Sequence, residues 1–355
     1  MTKSTSPRSV QRLSDCPRPL VEAYDLGILD LDGVVYVGGD AVPGAVDALR
    51  AAEQATMRLA YITNNASRPP GAVVERLRKL GVPVNDGEVV TSAQAAARLV
   101  ASLVPDGSAV LVVGGEGLVD AIAEYGLSAV RTLQEAPAAV VQGFHPDIGW
   151  SLLAEAAYAV ATGLPWVASN TDRTIPTARG IAPGNGTLVD AVATATGRRP
   201  VVAGKPEVPL FEETVLRVGG EHHLVVGDRL DTDIEGANNV STDSMLVLTG
   251  VSTLAEAITA EPLQRPTYIA ADLGGLLVAH EPVVHDGDTT RCADVAVRIV
   301  AGAIELVDGA DGRGPARSTA LLRAALARGW HDRDHGTDRD VPDVSAIETY
   351  LHERR

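Results

Sequence analysis

Four short runs hold residues whose types and spacing suit chemistry on an anion. Asp30 and Asp32 close an apolar stretch in LDLDGVV. Carboxylates leaving the C-terminal edge of a parallel strand stand where open α/β sheets place their sites, although such a pair also fits a plain strand-end turn. A second apolar stretch ends Ile62-Thr63-Asn64-Asn65, whose hydroxyl, carboxamide and backbone N–H groups can donate to an anionic oxygen; Asn also serves as a turn residue. Lys205 lies in Gly204-Lys205-Pro206, where the proline biases it away from helix; a lysine in such a loop is also commonly solvated. The fourth run, Gly227-Asp228-Arg229-Leu230-Asp231-Thr232-Asp233, sets three acids within six residues. They repel one another unless a cation joins them, and oxygen ligands without histidine or cysteine favour Mg²⁺ over zinc. Acids at a helix N-terminus are the competing explanation.

The elements around these runs alternate. Tyr24–Leu31 and Met57–Thr63 read as buried strands, with a helix announced by Pro43-Gly44 between them and another over Gly71–Leu80 that stops at Gly81. Thr91 with Gln94 forms a capping-box pattern at the head of a further helix. Ala109–Val113, Glu116–Tyr125, Ala138–Gln142, Trp150–Thr162 and Pro165–Ser169 continue strand and helix in turn, followed by Leu188–Thr196, Pro200–Ala203, Pro209–Val218, His223–Val226 and Tyr268–Val278. Such alternation predicts a doubly wound parallel α/β sheet with helices on both faces. Val113-Gly114-Gly115-Glu116-Gly117 breaks the dinucleotide spacing and reads as a strand-to-helix turn.

Taken together, D-x-D, Thr-Asn, Lys and G-D-x-x-x-x-D at four strand ends, in that order, resemble the haloacid dehalogenase-like phosphohydrolase superfamily. The resemblance is to the type IIA branch, in which an α/β cap is inserted between the second and third motifs. It is carried by LDLDGVVYVG, YITNNAS, VVTSAQAAA, SNTDRTIP, APGNGTLVDAV, GKP and GDRLDTDI, spread from about Leu26 to Val278. Within that branch the chain looks like the bacterial glycerol-3-phosphate phosphatases; phosphoglycolate, pyridoxal-phosphate and nitrophenyl-phosphate phosphatases share the motifs. The implied organisation is a lead-in over 1–19, a Rossmannoid core over 20–90 and 183–279, an inserted cap over 91–182, and a small C-terminal α+β appendage over 280–355.

The resemblance also implies a mechanism. Asp30 attacks phosphorus and forms an aspartyl-phosphate. Asp32 protonates the leaving alkoxide and then activates water. Asp30, the Asp32 carbonyl and Asp228 hold Mg²⁺, with Asp233 behind them. Thr63, Asn64, Asn65 and Lys205 bind the phosphoryl group, and Asp172 and Arg173 in the specificity loop SNTDRTIPTARG meet the alcohol portion. Relatives that keep a long-lived aspartyl-phosphate carry threonine at the place of Asp32, so Asp32 favours a phosphatase, or a phosphotransferase or mutase, over an ATPase-like role. His145, after Phe144, departs from the acid usual in the branch and is left outside the site. Gly184-Asn185-Gly186 reads as a turn and not as a phosphate cradle.

Composition narrows the partners. The 355 residues carry 46 acidic and 30 basic side chains, a net charge of -16, which repels nucleic-acid backbones and anionic lipid. Aromatic residues are 3% of the chain, too few for base-stacking platforms. No apolar run approaches the roughly 18 residues of a membrane helix, and Met1–Leu20 has no continuous apolar core of the kind a signal peptide needs. Cys16 and Cys292 are far apart without metal spacing, which suits a reducing cytoplasm. A small phosphate ester is the expected partner, with a homodimer as a further expectation. Past Pro282 the sequence turns polar, with one apolar strand, Ala303–Val307, and one helix, Ala316–Ala327. Gly312-Arg313-Gly314-Pro315 there resembles the acyl-CoA loop of acetyltransferase-like folds, but Gly309 replaces their Arg or Gln. A truncated, non-catalytic appendage that packs or dimerises is expected.

Overall fold

The structure is a computed structural model that describes residues 13–177, 179–308, 312–335 and 341–353. Most of the expected lead-in, Gly309, and the end of the appendage lie outside those residues. Contacts divide the chain into two compact units, Met1–Leu59 with Gly220–Arg355, and Ala60–Gly219.

In the first unit the strand Leu26–Asp30 is buried throughout, as a central parallel strand covered on both faces should be. It pairs in parallel with His223–Gly227, which pairs with Asp243–Val247, which pairs with Tyr268–Ala270. The register Leu29↔Val226 brings Asp30 level with Gly227 and leaves Asp228 one residue beyond, so two of the sequence motifs emerge side by side at the C-terminal edge.

The C-terminal segment of this unit is richer than the sequence suggests. Val283–Asp286, Thr289–Cys292, Val295–Val300 and Ala303–Asp308 form a four-stranded antiparallel sheet, and the helix Pro315–His335 runs well past its expected end at Ala327. That helix shares one core with the parallel sheet's surroundings. Trp330, buried with Ile258 and Leu254, donates its indole N–H to the Ala257 carbonyl at 2.9 Å. Arg265 stacks 4.9 Å over the Trp330 ring and donates both terminal nitrogens to Asp334 at 2.6 Å. Cys16 and Cys292 are free and buried.

His280 is fully buried beside the Tyr268 ring, and its Nε2 donates to the Gly275 carbonyl at 2.9 Å. Burial pushes its pKa down to about 4, with the nearby Arg323 guanidinium acting in the same direction. The unfolded chain therefore takes up a proton near pH 6.5 that the folded chain refuses until about pH 4. Stability from this group is complete above pH 6.5 and is lost as pH falls toward 4, by about 3 kcal/mol in all. His280→Gln should flatten that part of the acid limb in urea titrations at pH 7 and 4.5; parallel pH dependence in the two proteins would contradict the assignment.

The second unit holds the strand Arg58–Thr63 from Ala60 onward, paired in parallel with Val89–Thr91. It also holds a five-stranded parallel sheet in the order Val201–Val202, Trp166–Ala168, Ala139–Gln142, Ala109–Val113, Ser128–Val130. Thr91 caps the helix Ser92–Ala101 through the expected box with Gln94. A hairpin, Thr174–Thr177 with Gly180–Pro183, begins in the expected specificity loop and runs past its end at Gly180, and Asn185 opens the helix Asn185–Thr196 where the sequence suggests only a turn. Among the described residues no helix is long and apolar enough to cross a membrane.

Candidate active site

The first unit gathers the acids. Asp30, Asp228 and Asp233 are all buried, and one carboxylate oxygen from each lies within 4.8 Å of the others. Asp228 is fully buried. The Val251 N–H donates to its Oδ2 at 2.6 Å, and its carbonyl accepts the Ser252 N–H at 3.0 Å. Asp233 follows one π-helical turn later, over Leu230–Ile234, and its Oδ2 accepts the Arg229 N–H at 3.1 Å. Asp231, the third acid of the run, turns away and pairs with the Arg229 guanidinium at 2.8 and 3.0 Å.

Three glycines make this packing possible. A side chain on Gly227 would meet the Asp233 carboxylate, and one on Gly33 or Gly250 would meet that of Asp228. Gly33 also sits at φ +87, in the left-handed region that other residues avoid. Asp32, just before it, points to the surface, with the Tyr36 hydroxyl 3.4 Å from its Oδ2. A set of buried oxygen donors, closed around by residues with no side chain, fits a hard divalent cation.

The second unit gathers the donors. Thr63, at its strand's end, is 6% exposed and Lys205 is 4% exposed, a depth at which lysine is rare unless paired. Asn64 clamps the lysine's backbone: its Oδ1 accepts the Lys205 N–H at 2.8 Å, and its Nδ2 donates to the Lys205 carbonyl at 3.1 Å. The same Nδ2 lies 3.3 Å from both Asp172 carboxylate oxygens. A side chain at Gly204 would collide with Ser169 O and Asn64 Oδ1, which explains the glycine of the G-K-P run. Asn65 is exposed and its N–H donates to Thr63 Oγ1 at 3.1 Å.

Arg173 stands apart from this group. Its side chain is mostly exposed and pairs with Asp190 at 3.2 Å, on the helix Asn185–Thr196. His145 packs locally, its Nδ1 taking the Asp147 N–H at 3.3 Å. Ser92, Asn170 and Asn185, all buried, lie in runs that carry the family resemblance, but sequence reasoning gave them no role, because each acts through a backbone carbonyl of a distant residue. The Thr91–Gln94 capping box adds one local signal, since it fixes Ser92 as the first helical residue.

Two family models match the chain, one for haloacid dehalogenase-like hydrolases over residues 27–128 and one described as HAD-hydrolase-like over 202–276. The D-glycerol 3-phosphate phosphatase of Mycobacterium tuberculosis is 48% identical over 327 residues, 89% of this chain and 88% of that protein. An acid sugar phosphatase of Staphylococcus aureus is 36% identical over 256 residues, covering 71% of this chain and 96% of its own. A crystal structure of the M. tuberculosis glycerol phosphate phosphatase in complex with magnesium matches with a TM-score of 0.79 at 40% identity, over 95% of this chain and 99% of that one.

Proposed function

The chain belongs to the haloacid dehalogenase-like hydrolases, and from that premise we propose that it is a Mg²⁺-dependent phosphatase of small phosphate monoesters, with glycerol 3-phosphate as substrate. The buried triplet Asp30, Asp228 and Asp233 carries the proposal. Similarity to a glycerol 3-phosphate phosphatase over nearly nine-tenths of the chain supports the substrate.

Asp30, the Asp32 carbonyl and Asp228 would hold the cation, with Asp233 behind them. Its charge, when bound, offsets the repulsion between a carboxylate and a phosphate dianion, about 4 kcal/mol per unit pair at 4 Å and an effective dielectric of 20. Asp30 attacks phosphorus and carries the phosphoryl group as a mixed anhydride. Asp32 gives its proton to the departing glycerol oxygen, then takes one from the water that cleaves the anhydride. A surface-facing carboxylate suits that exchange, since both the alcohol and the water must reach it. Thr63, the Asn64 N–H and Lys205 donate to phosphoryl oxygens, where charge develops in transfer. Asn65 completes that turn; Asp172, held beside Asn64, would meet the alcohol portion, and Arg173 would have to leave Asp190 to join it.

The test is a panel of phosphate monoesters assayed with and without Mg²⁺ in ¹⁸O-water. Glycerol 3-phosphate should give a kcat/KM at least about tenfold above phosphoglycolate, pyridoxal phosphate and 4-nitrophenyl phosphate, a margin of roughly 1.4 kcal/mol in transition-state binding. Each released phosphate should carry one oxygen from water. Absence of phosphate release from every ester would overturn the phosphatase; transfer of the phosphoryl group to an added alcohol in place of labelled phosphate would identify a phosphotransferase or mutase.

A further inference from the structure

The turn Thr63–Asn65 does not hold its shape by itself. The Asn64 carbonyl accepts two side-chain donors from elsewhere in the second unit, the Ser92 hydroxyl at 2.6 Å and the Asn170 carboxamide at 2.6 Å. Both donors are buried, Ser92 at 0% and Asn170 at 4% exposed. The Asn170 carboxamide is fixed at its other end as well. Its Oδ1 accepts the Asp172 N–H at 3.1 Å, and since a carbonyl can only accept and an N–H only donate, its orientation is dictated by its partners. Its backbone carbonyl accepts Asn185 Nδ2 at 2.7 Å, and Asn185 is itself 1% exposed.

Three carboxamides therefore run in series. Asn185, at the head of a helix, holds the Asn170 backbone; the Asn170 side chain holds the Asn64 carbonyl; and the Asn64 side chain holds both backbone polar groups of Lys205. Every link joins a side chain to a backbone carbonyl or N–H, so each fixes the direction of a peptide plane and not merely a contact. Low local dielectric makes each link stronger than it would be in water, and makes a broken one costly.

We propose that Asn170, seconded by Ser92, is a positioning residue for the anion-binding turn, coupling the loop 169–173 to Thr63, Asn64 and Lys205. This rests on the phosphatase reading above. Asn170 touches no substrate atom; it orients the Asn64–Asn65 peptide, whose N–H holds Thr63 Oγ1, beside the groups that do. A misplacement of about 1 Å far from the reacting atoms can lower a rate about 100-fold, and a freed Asn64 carbonyl can turn by that much.

Asn170→Asp keeps the shape but sets an acceptor against the Asn64 carbonyl in place of a donor. We expect kcat/KM to fall about 10- to 100-fold. The fall should be equal for glycerol 3-phosphate and 4-nitrophenyl phosphate, because the defect lies at the phosphoryl end. The inhibition constant of inorganic phosphate should rise about tenfold or more, while the Mg²⁺ concentration for half-maximal activity stays unchanged. Ser92→Ala, which removes the second donor and is the milder change, should move the same quantities in the same direction. Val189→Ala, a core change on the helix Asn185–Thr196, should lower Tm and leave the phosphate inhibition constant where it was.

Phosphate inhibition within twofold of wild type in Asn170→Asp and Ser92→Ala would overturn the proposal, and so would losses that differ between the two esters. Wild-type protein that hydrolyses neither ester would instead defeat the phosphatase reading on which the proposal stands.

Discussion

Asp30→Asn is expected to abolish turnover, by roughly 10⁴-fold or more, while leaving the fold intact. Removal of a covalent nucleophile has effects of that order elsewhere, with the residue of activity supplied by the remaining electrostatics and binding. Two facts separate the change in chemistry from any change in structure. The side chains are isosteric, and Asp30 closes a strand whose other residues, Leu26 to Leu29, supply the packing. The carboxamide is uncharged and a far poorer nucleophile, so no phosphoryl group should be captured. Acid-quenched wild-type protein mixed with substrate should show the mass of one added phosphoryl group on the peptide containing Asp30, and Asp30→Asn should show none. Activity near wild type, or a phosphorylated peptide that excludes Asp30, would remove it from the nucleophile's place.

Much of the site was legible because its parts obey one-dimensional rules. A buried parallel strand reads as an apolar run, and the sheet's polarity puts the residues just past the run at one edge. That reasoning places Asp30, Thr63 and Asp228 at strand ends, and the resemblance then gives them their expected roles. It does not reach Ser92, Asn170 or Asn185, whose partners lie 28, 106 and 15 residues away; a hydrogen bond from a side chain to a distant carbonyl leaves no periodic trace. The same limit separates Asp231 from Asp233. Composition alone sets three acids in the run, and the resemblance names only Asp228 and Asp233; the π-helical turn carries Asp231 out to Arg229 and brings Asp233 in.

The appendage was under-read for a different reason. Its strands are short and mixed in polarity, so period-two alternation is thin. Their turns were visible all the same. Gly287-Asp288 and Ala301-Gly302 fill two-residue hairpin corners, with Gly287 at φ +60 and Ala301 and Gly302 at φ +48 and +82. A glycine in a two-residue corner is a strong short-range hairpin signal, and in this segment such corners carry more information than hydrophobicity does.

Removing the metal should be nearly as damaging as removing the nucleophile. Three carboxylates whose oxygens approach within 4.8 Å repel by about 3 kcal/mol per pair at an effective dielectric of 20, and two of them, Asp228 and Asp233, have no exposed surface through which water could screen them. A hard divalent ion converts that repulsion into attraction, so binding should show in stability as well as in rate. At a free Mg²⁺ concentration about 100 times its dissociation constant, the folded state gains about 2.7 kcal/mol, which for a unit of this size raises Tm by roughly 5–10 °C. Chelation should lower phosphatase activity at least about 100-fold, with full return on adding Mg²⁺. Asp228→Asn separates this from a general salt effect. The new carboxamide can still accept the Val251 N–H through its oxygen, so the loop that supports Asp228 should stand. Yet one of the three charges is gone, and the Mg²⁺ concentration for half-maximal activity should rise about 100-fold, with the Tm increase flattened over the range that saturates wild type. An equal Mg²⁺-induced Tm rise in Asp228→Asn and wild type, or chelated protein that keeps its rate, would show that these buried acids are held together by something other than a catalytic cation.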